Sequence, residues 1–443
     1  MKTYLNIILF LFILFNCSGE TRPSLPSHDT LCLAPASSVK LTASSTIREI
    51  MRVLSEVDYT LNKDSRENWK ASVIPRAKEM IRASLALAPG DTELVVFGYG
   101  KGYDIPDEIF SDPRFTKIHL VDQAESVVRT ALEEKGIQND KIQIHQEDIS
   151  LFTDEFYQTL DEIIDSAYGT DWYDEIEQAL ITLLRSHQYN GKYVPVFKNH
   201  LPFLDRNAFG LVISSMTMTQ IIQHLGRAVA AKLILKKMEM QKDSPAKSPS
   251  PLWLTLEANQ TDLPEKLNKP FSQLELGIEE HHMTMIANLL HPTGIVYLGC
   301  DIASINESLL AENRVQSSTG SSFSPLTPEI FASALESFLM YSFGLSDTPP
   351  PSYAPRILQD SIQSLLQGKK EVAIHPISIR APVATSLRRA GLLPVHISSM
   401  SWPKAPNIST LTEAIIATSP PNAERTYIGL LSNPSFTAKE RSA

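Results

Sequence analysis

Apolar residues recur at helical spacing across residues 47–87, with Ile50, Val53 and Leu54 followed by Ile74, Ala77 and Ile81. This spacing predicts two amphipathic helices. Pro89-Gly90-Asp91 then marks a turn. Beyond it, short apolar runs alternate with helical or turn-rich stretches, as βαβ units around a parallel sheet do. The predicted strands are residues 94–97, 117–121, 142–145 and 209–214, with a helix over 220–240 after the last of these. A long helix-leaning stretch, 154–188, interrupts the alternation before 192–197 and reads as an insertion or cap. Residues 275–290 form a predicted helix leading through His291-Pro292-Thr293-Gly294 into a strand at 295–299. A helix over 328–343, closing strands at 371–377 and 393–397 and a helix at 381–390 complete the pattern. The fold class expected is α/β, a doubly wound, mostly parallel sheet with N-terminal helices and a helical insertion.

The ends of this pattern set the domain organisation. Residues 46–90 form an N-terminal helical segment, 91–310 the core with its insertion at about 151–190, and 311–443 the C-terminal helices and closing strands of the same domain. Residues 243–251, rich in Ser and Pro, read as a loop excursion, because the strand and helix pattern resumes after them. Residues 18–45 are rich in Ser, Thr and Pro without periodicity, as a flexible tether is. Ahead of them Lys2 precedes the apolar run 4–15, too short to span a bilayer but suited to a secretory signal.

Composition narrows the function. The 443 residues, 43% hydrophobic and 20% charged, can bury a substantial core. A net charge of −10 argues against a nucleic-acid partner, whose binding rests on Lys and Arg facing phosphates. Three cysteines, Cys17, Cys32 and Cys300, are too far apart to suggest a disulfide framework or a Cys-based zinc site. Cys300, inside an apolar run, reads as a small buried hydrophobe. Cys17 differs. Leu14-Phe15-Asn16-Cys17-Ser18 resembles the relaxed lipobox of bacterial lipoproteins, especially those of spirochaetes, which implies lipidation at Cys17 and membrane association. A short uncleaved anchor, or a later start at Met51 and a cytoplasmic protein, remains the alternative.

The chemistry gathers in residues 93–148. A strand enters Gly98-Tyr99-Gly100-Lys101-Gly102, where missing side chains let a ligand approach the backbone. A dinucleotide fingerprint needs a third glycine where Tyr103 stands. Ile118-His119-Leu120-Val121-Asp122 is an apolar strand ending in an acid about 20 residues past the loop, the spacing that sets a carboxylate beside a ribose. Ile142-Gln143-Ile144-His145-Gln146-Glu147-Asp148 ends in another acid.

These motifs together resemble class I S-adenosylmethionine-dependent methyltransferases over residues 93–299. The resemblance implies a Rossmann-like fold, S-adenosylmethionine as cofactor and a small-molecule or other non-nucleic-acid methyl acceptor. It also implies that Gly98, Tyr99, Gly100 and Gly102 form the cofactor loop, that Asp122 holds the ribose, that Asp148 meets the adenine amino group, and that Gln123 is a further cofactor-binding residue. Phe209-Gly210-Leu211-Val212-Ile213-Ser214-Ser215 resembles the fourth-strand segment of the small-molecule branches, which brings Ser214 beside the active site, with Gln220 where histidine is often found. No Asn-Pro-Pro-Tyr or Asp-Pro-Pro-Tyr motif occurs, so methylation of the amino groups of nucleic-acid bases or glutamine is not indicated.

One position departs from the family. An acid often stands two residues before the first glycine, and Val96 stands there here, leaving Glu93 or Asp104 to meet the cofactor's ammonium group. That departure supports a second reading, a catalytically degenerate lipoprotein acting as a membrane-tethered binding protein. A nicotinamide-dependent oxidoreductase is the third. His200 and His224 are candidate bases by their place near strand ends, though loop or surface positions explain them as well. Glu279-Glu280-His281-His282 carries Glu and His at i, i+3, but no second Glu-x-x-His completes a metal site, and the four read as solvated helix residues. Tyr168, Trp172 and Tyr173 with Asp165, Asp171 and Asp174 form either a lid or the packing face of the insertion.

Overall fold

The computed structural model describes residues 41–306, 374–376, 383–405 and 408–432, apart from 62, 169, 199, 216, 241–249 and 261–264. Cys17 and the expected helix at 328–343 lie outside the described residues. The chain divides into two compact units. The first comprises residues up to Lys63 with Phe152–Lys198 and Ile222–Leu274; the second comprises Asp64–Leu151, Asn199–Ile221 and Glu275–Ala443.

Helices α1 (Ile47–Leu61), α2 (Lys63–Ser72) and α3 (Ile74–Leu87) come first, three where two were expected. Strands β1 (Thr92–Phe97) and β2 (Phe115–Asp122), helix α4 (Glu125–Glu134) and strand β3 (Ile142–Gln146) follow. The stretch expected to be one long helix is two, α5 (Asp154–Ser166) and α6 (Trp172–Ser186). After α6, His187 takes a left-handed conformation and a hairpin of β4 (Gln188–Tyr189) and β5 (Lys192–Tyr193) stands where a longer strand was expected. Then come β6 (Phe209–Ser215), α7 (Thr217–Met240), α8 (Pro251–Gln260), α9 (Glu265–Leu289) and β7 (Leu290–Asn306). The last elements are β8 (Ile374–Pro376), α10 (Val383–Arg389), β9 (Leu393–Ala405), β10 (Ile408–Thr418) and α11 (Ala423–Leu431).

The second unit is built on one sheet of order β3-β2-β1-β6-β7-β10-β9, with β8 paired to β7. Strands β3 to β7 along this order run parallel, and β10 lies antiparallel between β7 and β9. The expected mostly parallel, Rossmann-like sheet is thus present. Central strands covered on both faces should be apolar throughout, and every residue of β6 is buried. The edge strand β3 is only half-buried.

Alternation along each strand sorts its residues between the faces. Leu94, Val96, Ile118, Leu120, Leu211, Ile213, Ile295 and Tyr297 pack with Met80 and Ile81 of α3, Val128 of α4 and Leu430 of α11. The opposite face carries Val95, Phe97, His119, Val212 and Ser214, also buried, and receives His282 from α9. Val96, at the departure from the family pattern, belongs to the first face, with its side chain in the core.

Candidate cofactor cleft at the strand ends

Sheet order reverses between β1 and β6, so the loops after these parallel strands diverge and leave a crevice at their carboxyl ends. Phe97 and Ser214 are register partners at its floor. The glycine loop leaves β1 here, with Gly98, Gly100 and Gly102 all at positive φ. A Cβ on Gly100 would meet nothing within 4 Å, so the loop's outer side is open. A Cβ on Gly102 would lie 2.2 Å from the Tyr99 ring, which turns inward edge-to-face against Phe110. Tyr99 is 2% exposed, so only its backbone follows the loop.

The loop leads into a five-residue 3-10 segment, Asp107–Ser111, and no α-helix forms between β1 and β2. A pyrophosphate is ordinarily received by the first turn of that helix. Together with Tyr103, its replacement argues against a dinucleotide.

Three strand ends are tied together instead. Gly98 N–H donates to the Val121 carbonyl at 2.8 Å. The Asp122 carboxylate accepts from Gly100 N–H through Oδ2 and from Ala124 N–H through Oδ1, both at 2.8 Å. Burial pushes its carboxyl above the ordinary range, and these two bonds pull it back. Each oxygen keeps a lone pair for a further donor. Gln123 Nε2 donates to Asp148 Oδ1 at 3.0 Å, and Ser150 donates to the same carboxylate through N–H at 2.9 Å and Oγ at 2.6 Å. Asp148 therefore also shapes the turn after β3. Gly98, Gly100, Asp122, Gln123 and Asp148 stand along one edge of the sheet.

The two candidate partners for an ammonium group separate. Glu93 lies at the amino end of β1, roughly 15 Å from the glycine loop at strand rise. It pairs with Lys117 at 2.9 Å and with His119 at 3.1 Å, and His119 in turn meets His145 at 2.9 Å. Asp104 is buried just past the loop. Burial raises its carboxyl pKa, opposed by a hydrogen bond with Ser215 and by the fields of Lys135 and Lys78.

Ser214 is fully buried, with its Oγ 3.0 Å from His282 Nε2. This corrects the reading of the Glu279–His282 stretch as solvated, since Glu279 and His282 are 0% and 1% exposed. The stripe Phe271, Leu274, Ile278, His282, Ile286, Leu289 has helical spacing and was the available signal. Ser386 donates to Glu279, and Arg389 pairs with Glu280 at 2.7 Å. Burial and the neighbouring His281 hold the His282 imidazole down to about 3, so it is neutral at physiological pH. His200 is exposed; the His224 and Gln220 side chains lie outside the described set.

In the helical unit, Arg48, Asp154, Tyr157, Asp161, Glu162 and Asp165 line an open depression of about 710 Å³ that contains none of the expected cofactor residues. Tyr168 and Tyr173 are exposed.

No family model and no curated protein sequence matches the chain. Solved structures similar to it include an S-adenosylmethionine-dependent methyltransferase, so described without proof of activity, from Listeria monocytogenes, at 9% identity and TM-score 0.29 over 78% of this chain and 99% of that one. A Bordetella parapertussis protein described, without proof, as exported matches at 10% identity and TM-score 0.31, over 79% of this chain and 69% of that one. A sarcosine dimethylglycine methyltransferase from Galdieria sulphuraria, likewise so described without proof of activity, matches at 10% identity and TM-score 0.25, over 78% of this chain and 86% of that one. At such values none of them assigns an activity to this chain.

Proposed function

We propose that this protein is an S-adenosylmethionine-dependent methyltransferase acting on a small-molecule or other non-nucleic-acid acceptor. The observation that carries the reading is the Asp122 carboxylate, fixed at the end of β2 by Gly100 and Ala124 with a lone pair left on each oxygen. Two ribose hydroxyls suit those lone pairs. The Asp148 carboxylate, just past the end of β3, is an acceptor that suits an exocyclic amino group. The open side of Gly100 admits a ligand against the backbone. Bound there, the cofactor supplies a methyl group activated by its positive sulfonium. The chain's part is to hold an acceptor in line with that methyl and keep water out. Titration of the full chain with S-adenosylmethionine in a calorimeter tests this, since binding must be saturable and weakened by Asp122→Ala.

Two features favour a second reading, a membrane-tethered binding protein that keeps the cleft without turnover. Val96 replaces the family's acid with a core side chain, and Cys17 stands in a lipobox-like context. The same context supports a lipoprotein location. Metabolic labelling with a palmitate analogue should mark the wild-type chain and spare Cys17→Ser; an unlabelled wild type removes both the tether and the location.

A further inference from the structure

The cleft has a direction. On the cofactor reading above, adenine lies at the end of β3 and ribose at the end of β2, and β1 and β6 are the next strands in order. The amino-acid end, with its positive sulfonium, therefore runs over the β1/β6 junction. His282 stands at that junction. Its ring is edge-to-face with Phe97 at 5.4 Å and hydrogen-bonded to Ser214, the two register partners that end β1 and β6. Its Nδ1 is buried and has no hydrogen-bond partner among the described residues. Leaving such a nitrogen unpaired costs the full desolvation of the group. An orphan of this kind in a folded protein calls for an explanation.

We propose that His282 recognises the sulfonium charge of the methyl donor: its Nδ1 lone pair faces the cation, while Nε2–H donates to Ser214 Oγ and fixes that tautomer. The proposal rests on the cofactor reading. An imidazolium would repel a sulfonium, and an Nδ1–H tautomer would turn the wrong end of its dipole toward it. Deep burial keeps the ring uncharged. Ser214 acts as a positioning residue, holding the ring by its far nitrogen. The chain then discriminates S-adenosylmethionine from S-adenosylhomocysteine, which has the same adenosine and amino-acid groups but an uncharged sulfur.

The test needs no knowledge of the acceptor. Dissociation constants for both ligands are measured on the full chain as wild type, His282→Leu and Ser214→Ala. His282→Leu should weaken S-adenosylmethionine about tenfold, the scale of a lost interaction with a charged group, and leave S-adenosylhomocysteine unchanged. Ser214→Ala should act in the same direction and less strongly. Nitrogen-15 NMR of the histidine rings in the wild-type chain gives a second readout that does not depend on the variants folding. It should show an unprotonated Nδ1 at His282 whose resonance moves with S-adenosylmethionine and not with S-adenosylhomocysteine. If both ligands bind and lose affinity equally in His282→Leu, or if Nδ1 carries the proton, the proposal fails while the cofactor reading stands. If neither ligand binds wild type, both fail.

Discussion

Asp104 shows how burying one carboxyl sets stability against pH. A carboxyl whose folded pKa is raised by burial costs stability once pH exceeds the unfolded value near 3.8, because the unfolded chain releases that proton first. The cost is absent below that value and grows as pH rises toward the folded pKa. Asp104→Asn keeps a hydrogen-bonding group for Ser215 and removes the titration. The variant should therefore melt higher than wild type at neutral pH, with the gain vanishing as pH falls below about 4. A variant that melts lower at neutral pH would mean that the charge is well compensated. The same scale shows what the sequence could reveal. Asp122 and Asp148 were legible because acids at strand ends follow a spacing rule. His282 and Glu279 were not, since two acids and two histidines in a row read as a solvated face although Ile278, His282 and Ile286 share one stripe.

Among elements, the helical unit carries a charge node around one buried lysine. Lys232 Nζ on α7 is 0% exposed and meets Asp161 at 2.6 Å and Asp165 at 3.0 Å, one turn apart on α5. Asp161 also accepts from Ile47 N–H at the start of α1. Four residues along α7, Lys236 donates to the Asp165 carbonyl at 3.1 Å, a cation at the last turn of α5. Lys232→Ala would leave two carboxylates without their buried cation and should cost about 3 kcal/mol in urea unfolding. A loss under about 1 kcal/mol would show the node to be solvated. Elements were legible where apolar runs were unbroken, as in β1 and β6. The antiparallel strand β10 was not expected. Its buried Thr410, Thr412 and Glu413 break the apolar run by which strands are read. Likewise β7 begins at Leu290, paired with Phe209, and its register with β6 then shifts across Pro292 and Gly294, where the turn was expected, before pairing resumes at Ile295.

At the scale of the molecule, the order β3-β2-β1-β6-β7 points to where a ligand can lie, because among the described residues it is at β1/β6 that neighbouring crossovers diverge. The class of sheet was legible from alternating strands and helices, and its order was not, since nothing local in a strand names its neighbour. The 3-10 segment after the glycine loop was equally hidden, and it separates this cleft from a pyrophosphate site. What remains is a cleft suited to a nucleoside with a charged but phosphate-free tail. The central claim is that S-adenosylmethionine occupies it through Asp122. Calorimetry of the full chain with S-adenosylmethionine tests this most directly, using wild type and Asp122→Ala side by side. The account predicts one saturable site in wild type and an affinity about ten- to a hundredfold lower in the variant, the scale of hydrogen bonds to a charged group. No heat of binding in wild type, or equal affinity in Asp122→Ala, would contradict it.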